Sequence, residues 1–311
     1  MKVNYGTNAT ESAITIKDYE KRFRRFRVKN TNINIGKNKI HAIIGPSGSG
    51  KSVILKSIIG SITSYKGEIV ILGKKSTNPK SKFNIGFSMN LEAFPIGMKA
   101  MDFVQSLARI TGLKGRSLKN RLEELFNLYG LWEHRNKTLN SYSSGMKNRI
   151  MLIQATIHDP EIIILDEPGV NLDTEGRKFL NQYLRDEKAA GKTILLTTHL
   201  INEVKDMIDE CTIIQKGEVI FTGPIEEQEI DKVYTLKSTN NKLFLTYLIE
   251  NKIRHRYNVA TNEIQLQVHN HLAINNMFAF ALKNNIIILT LNPTEIDLSF
   301  MKSGFFDIKV I

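Results

Sequence analysis

Short runs of apolar residues with no polar alternation predict strands covered on both faces, the habit of a buried parallel sheet. Three stand out: residues 40 to 44 (IHAII), 161 to 165 (EIIIL) and 192 to 198 (KTILLTT). Further strands are expected near 13 to 17 and 31 to 35, and at 67 to 73 (GEIVILG). From Lys99 to His158 the period changes to that of helices. Leu118, Leu122, Leu125 and Leu128 line one predicted helix face, and Met146, Ile150, Ile153 and Ile157 line another. A helix starting at Lys51 should stop near Gly60, and one carrying Phe179, Leu180, Tyr183 and Leu184 should close at Gly191, since glycine accepts the left-handed turn that ends helices. Strands alternating with helices predict an α/β fold.

Beyond about residue 229 the pattern starts afresh. KVYTLK, KLFLTYLIE, IRHRYNVA, EIQLQV, HLAINNMFAFALK and NIIILTL read as β-α-β-β-α-β, the order of a ferredoxin-like unit, and PTEIDLSFMK as a last helix. Two domains are therefore expected, 1–229 with a helical insertion at about 95–158, and a small C-terminal α+β domain at 230–311.

The chemistry sits where the apolar runs end. After residues 40 to 44 comes Gly45-Pro46-Ser47-Gly48-Ser49-Gly50-Lys51-Ser52, a full match to G-x-x-x-x-G-K-[ST] between a strand and a helix. Its glycines let the backbone curl so that N–H groups face a phosphate, and the following helix adds its positive end. Lys51 is expected to reach the outer phosphates and the Ser52 hydroxyl to hold Mg2+. The run 161 to 165 ends in Asp166-Glu167: an aspartate there can help hold Mg2+, and the neighbouring carboxylate can orient or deprotonate an attacking water. His199 follows the third run, at the same expected sheet edge as Glu167.

With these motifs in order, residues of about 12 to 225 resemble the ATP-binding cassette subunits of membrane transporters. Tyr142-Ser143-Ser144-Gly145-Met146 is similar to the family signature, Asn171-Leu172-Asp173 to its D-loop, and His199 to its switch histidine. The resemblance implies a phosphate-loop core of cassette type, with an antiparallel β subdomain and a helical insertion. It also implies that Val53 and Asp173 take part in nucleotide binding, that Phe23 (with Tyr19 second) stacks on adenine, and that Asn90 links Mg2+ to a membrane partner. Asn90 stands where many members carry glutamine, Ser144 and Met146 replace a signature glycine and glutamine, and Val53 replaces a frequent threonine. These departures bear on hydrolysis rate.

The same resemblance makes the chain half of a composite site: ATP and Mg2+ on one phosphate loop, closed upon by Ser143 and Gly145 of a second subunit. ATP-driven dimer closure would then power a permease in a separate chain, since the C-terminal domain and the YSSGMK signature resemble those of the exporter subfamily with separate membrane chains. A soluble regulatory cassette, or one associated with ribosomes or nucleic acid, is the alternative.

Composition changes this picture little. No run approaches the ~18–20 apolar residues that span a bilayer, and the first twelve residues lack a signal-like segment, so the chain is expected at the cytoplasmic face of the membrane, held there by its permease. The single cysteine, Cys211, reads as a buried packer. Of the net charge of +12, the first 40 residues carry +7, concentrated in KRFRRFRVK at 21 to 29. A solvated basic edge, contact with acidic lipid or partner, and nucleic-acid binding compete there; no nucleic-acid module accompanies it, so nucleic acid is not expected. His269 and His271 read as exposed residues at a helix start, and Trp132 as a packing residue.

Overall fold

The computed structural model describes residues 12–88, 94–199, 204, 206–224, 232–268 and 271–293. Asn90, His269 and most of the expected last helix lie outside the described residues. The chain divides into two compact units, Met1–Ile225 and Glu226–Ile311.

The first unit is built on one ten-stranded sheet. Its parallel part contains β3 (Ile40–Ile44), β6 (Ile85–Ser88), β7 (Ile162–Leu165), β8 (Thr193–Thr198) and β9 (Glu210–Gln215). Its antiparallel part contains β1 (Ser12–Arg22), β2 (Arg27–Gly36), β4 (Lys66–Ile71) and β5 (Lys74–Lys75), and β10 (Glu218–Pro224) joins the two. The order is β5-β4-β1-β2-β10-β9-β3-β8-β7-β6. β3, β7 and β8 are buried along their whole lengths, which is why their sequences show no alternation.

β1 and β2 run well past 13 to 17 and 31 to 35. In their outer halves buried Tyr19 stands between Asp18 and Glu20, and buried Val28 between Arg27 and Lys29, single apolar positions among charged ones that do not register as an apolar run. The segment KRFRRFRVK is thus the tip of a hairpin. There Glu20 pairs with Arg27 at 2.7 Å, and Lys29 with Glu218 at 2.9 Å.

The helical insertion holds α2 (Ala100–Ile110), α3 (Gly115–Leu128) and α4 (Ser144–Thr156). Leu118, Leu122 and Leu125 are buried, but Leu128 is exposed: α3 ends at it, and Phe126, Tyr129 and Leu131 fill the core there. On α4, Ile150 and Ile153 are buried, and Ile157 just after it, while Met146 is half-exposed. The insertion touches the sheet where Gly86 of β6 meets α4. A Cβ at Gly86 would stand 1.8 Å from the Ala155 carbonyl oxygen, so only glycine admits this approach. Trp132 is half-buried in a short turn, with the Arg135 guanidinium 4.0 Å from its ring centre. The remaining helices are α1 (Lys51–Ile59), which stops at left-handed Gly60, and α5 (Thr174–Ala189), followed by left-handed Gly191.

The second unit runs β11 (Lys232–Ser238), α6 (Asn241–Glu250), β12 (His255–Asn258), β13 (Glu263–Val268), α7 (His271–Lys283) and β14 (Ile288–Pro293). Its sheet is antiparallel, in the order β12-β13-β11-β14. Leu236, Ile264 and Leu266 of the strands bury against Phe244, Leu248 and Met277 of the helices. Tyr247 and Phe280 stack at 4.2 Å between ring centres.

Candidate active site

Three neighbouring parallel strands, β3, β8 and β7, end at one edge, with Ile44 beside Thr198 and Leu165 beside Leu196. Residues that follow these strands meet there, as ligand-binding residues do beyond the carboxyl ends of open α/β sheets.

The loop 45 to 52 leaves β3 and turns into α1. Gly45 is in close contact beneath it: a Cβ would lie 2.2 Å from the Ile214 carbonyl oxygen and 2.7 Å from Ser49 Oγ. Gly50, at φ 112°, sits just before α1, whose first turn carries no acidic residue. Pro46, Ser47 and Gly48 are exposed. The first N–H groups of a helix have no partner within it, so the N-terminus of α1 offers donors and a positive dipole end at this curl. Ser49 Oγ is buried without a hydrogen-bond partner among the described residues.

Lys51 is 4 % exposed and folds back under the loop, Nζ donating to the carbonyls of Gly45 at 2.8 Å and Pro46 at 3.3 Å. The same nitrogen lies 3.2 Å from Glu167 Oε1, while Glu167 Oε2 lies 3.3 Å from His199 Nδ1. Ser52 Oγ donates to Asp166 Oδ1 at 3.4 Å. Val53 is half-buried and packs against the core.

Thr197 organises the two acids. Its hydroxyl donates to Asp166 Oδ1 at 2.6 Å and accepts from the Glu167 N–H at 2.9 Å. No motif points to a threonine inside an apolar strand, so sequence reasoning marks it only as a strand end. Glu167 itself is left-handed, at φ 48°, a conformation non-glycine residues take up only where surroundings hold it.

Ser143 caps α4, accepting from the Met146 N–H at 3.2 Å, and is exposed; Gly145 is half-exposed one residue into the helix. Asp173 caps α5, accepting from the Gly176 N–H at 2.7 Å. Neither side chain hydrogen-bonds the Lys51–Glu167 group among the described residues.

Phe23 is exposed at the hairpin tip, with Lys21 Nζ 5.3 Å from its ring centre. Tyr19 is not available for stacking: it is fully buried, with its hydroxyl 2.7 Å from Ser57 Oγ. The aromatic ring that does approach the phosphate loop is Phe26, which with Val28 packs over Gly50.

A family profile described as ABC transporter matches residues 28–170. An uncharacterized ABC transporter ATP-binding protein of Bacillus subtilis, YxlF, is 32% identical over 219 residues, covering 70% of this chain and 72% of that protein. The chain belongs to the ABC transporter family. As an ATP-binding protein of that family it hydrolyses ATP to drive transport; such subunits dimerise and work with membrane permeases.

Two other similar ABC proteins cover more of the chain. The linearmycin resistance ATP-binding protein LnrL of Bacillus subtilis is 26% identical and covers 86% of this chain and 89% of its own length. The bacitracin transport ATP-binding protein BcrA of Bacillus licheniformis is 26% identical and covers 86% and 88%. Both alignments are longer than the first unit and so extend into the second. A solved structure described as the ATP binding subunit of an ABC transporter superposes with a TM-score of 0.64 at 24% identity, covering 70% of this chain and 91% of that one, a likeness of fold. Among the described residues of this ABC protein, no helix is long and apolar enough to cross a membrane.

Proposed function

We propose that this chain is the ATPase subunit of an exporter whose permease is a separate protein. The observation that carries the site reading is the convergence of Lys51, Ser52, Asp166, Glu167, Thr197 and His199 at the ends of three adjoining strands. The triphosphate of ATP lies along residues 45 to 53, with Lys51 leaving its own loop carbonyls for the outer phosphates. Glu167 holds and deprotonates the attacking water, and His199 steadies Glu167 and senses the γ-phosphate.

The oxygens of Ser52 and Asp166, already neighbours, suit Mg2+, which when bound would neutralise charge developing on the phosphates. Asn90, outside the described residues, would be the residue that links this metal site to the permease. Phe23, exposed at the hairpin tip, stacks on adenine. Ser143 and Gly145, together with Asp173, meet the nucleotide of a second copy or a sister subunit, so ATP closes the pair and hydrolysis reopens it.

Outward transport rests on the relatives: LnrL is named for resistance and BcrA for bacitracin transport, and both resemble this chain beyond its cassette. The chain then works at the cytoplasmic face of the membrane, peripheral through its permease. The test is recovery of the tagged chain from detergent extract. Co-purification of a multi-span membrane protein supports the reading; recovery with ribosomes or nucleic acid overturns it.

A further inference from the structure

We infer that Asn148 is a positioning residue that ties α4 to Glu167 and so links the site a subunit grips to the site it serves. Asn148 Nδ2 donates to the Pro168 carbonyl oxygen at 2.8 Å, across twenty residues of sequence. Pro168 is buried and directly follows Glu167. Proline has no N–H, so its carbonyl is the one backbone group through which this residue can be fastened.

The turn that presents Glu167 is therefore held at three points. The Glu167 N–H is held by Thr197 at 2.9 Å, its carbonyl accepts from the Val170 N–H at 3.2 Å, and the next carbonyl is held by Asn148. The first two belong to the sheet edge and the turn itself. The third belongs to the helical insertion. Because Glu167 is left-handed at φ 48°, its backbone is poised on outside restraint, and a shift at Pro168 is passed on to the direction of its carboxylate.

The other end of the same helix is the exposed Ser143–Gly145 turn. Asn148 stands five positions beyond Ser143, a rise of about 7.5 Å along the helix. A helix transmits displacement along its axis with little give. Arg149, the neighbour of Asn148, is engaged elsewhere. It donates to the Tyr129 carbonyl oxygen at 3.3 Å and lies 4.4 Å from the Phe179 ring centre, bracing α4 against α3 and α5. Asn148 is thus the side chain of α4 seen to reach the Glu167 turn among the described residues.

Resting on the roles proposed for Glu167 and the Ser143–Gly145 turn, the consequence is communication between two sites. Engagement of the partner's nucleotide by the start of α4 sets the carboxylate that attends the chain's own nucleotide. Loss of the link should lower turnover without weakening ATP binding.

The experiment compares Asn148→Ala, Asn148→Gln and Glu167→Gln in the full chain with its permease, measuring kcat, KM, ATP affinity and the Hill coefficient for ATP. Asn148→Ala should lose about tenfold in kcat, the scale of one well-placed hydrogen bond, with KM and affinity within about twofold and the Hill coefficient falling toward one. Asn148→Gln, which keeps the amide donor, should recover most of the rate. Wild-type kcat in Asn148→Ala overturns the inference, as does an equal loss of rate and ATP affinity that Gln does not rescue. If Glu167→Gln abolishes turnover while Asn148→Ala is normal, only this coupling fails; if Glu167→Gln hydrolyses ATP normally, the carboxylate assignment beneath it fails.

Discussion

Lys51 Nζ lies 3.2 Å from Glu167 Oε1, so the cation of the proposed phosphate loop and the proposed catalytic carboxylate are ion-pair partners. A triphosphate brings more negative charge to Lys51 than one carboxylate does. Binding should therefore draw Lys51 from Glu167, which leaves the carboxylate to its His199 contact at 3.3 Å and to the attacking water.

Glu167→Gln removes both the competing charge and the proposed base. ATP affinity is expected to hold or tighten, while turnover falls by about 100-fold or more, the usual share of general base catalysis. Single-turnover hydrolysis measured beside equilibrium ATP binding checks the split, and a variant that turns over normally excludes Glu167 as the base.

Lys51→Ala acts on the other partner. The buried Nζ and its bonds to the Gly45 and Pro46 carbonyls disappear, leaving the curl of the loop without its internal clasp. ATP binding should drop by about two orders of magnitude, the scale expected when charge-assisted contacts are lost. Titration calorimetry would read this directly; unchanged affinity contradicts the proposed phosphate contact.

The contrast between these residues and Thr197 shows what the sequence makes legible. Asp166 and Glu167 directly follow an apolar run, and Lys51 closes the glycine-rich loop that follows another, so the strand end and the polar residues beyond it are visible together. Thr197 lies inside such a run, fully buried, and its two hydrogen bonds depend on which strands are neighbours. The sheet order β3-β8-β7 skips across more than a hundred residues of chain, and no local pattern encodes it. Local polarity likewise hides the outer halves of β1 and β2. It also makes Tyr19 look like a surface aromatic, when its hydroxyl is satisfied by Ser57 inside the core. In the second unit each element is short and bounded by polar turns, and the β-α-β-β-α-β order is readable without any long-range information.

Thr197→Val keeps the shape but deletes the hydroxyl, leaving the Glu167 N–H without its acceptor and Asp166 Oδ1 with only the longer bond from Ser52 at 3.4 Å. Destabilisation of about 1–3 kcal/mol is expected for a part-buried polar group left unpaired. Turnover should fall further than stability does, because both acids lose alignment. Denaturant melts and ATPase rates on the same preparation test this, and wild-type turnover would remove Thr197 from the organisation of the site.

Cys211 is fully buried in β9, and burial pushes its thiol up to about 12. The reactive form is the thiolate, so the native thiol should stay protonated and inert at pH 8. A thiol-reactive chromogen should label the native chain at least about 100-fold more slowly than the unfolded chain, where the group regains its ordinary range near 8.5. Rapid native labelling would place Cys211 in a solvent-accessible setting.

Next to it, Glu210 is held down to about 2, chiefly by its hydrogen bond with His41 and then by that from Lys39, against the opposing effect of burial. His41 is wholly buried, with Nδ1 3.5 Å from Glu210 Oε2 and Nε2 2.9 Å from Thr212 Oγ1, so β3 and β9 are joined through side chains as well as by their ladder. A carboxylate whose folded value is depressed stabilises the fold fully above its unfolded value, and that contribution is lost as pH falls through the folded one. The window here runs from about 4.5 down to about 2. Glu210→Gln has no such charge to lose. Its melting temperature should lie below that of the wild type by a constant margin above pH 5, and the two curves should converge as pH is lowered through the window. Parallel curves down to pH 2 would show that Glu210 is not held in its charged form by His41 and Lys39.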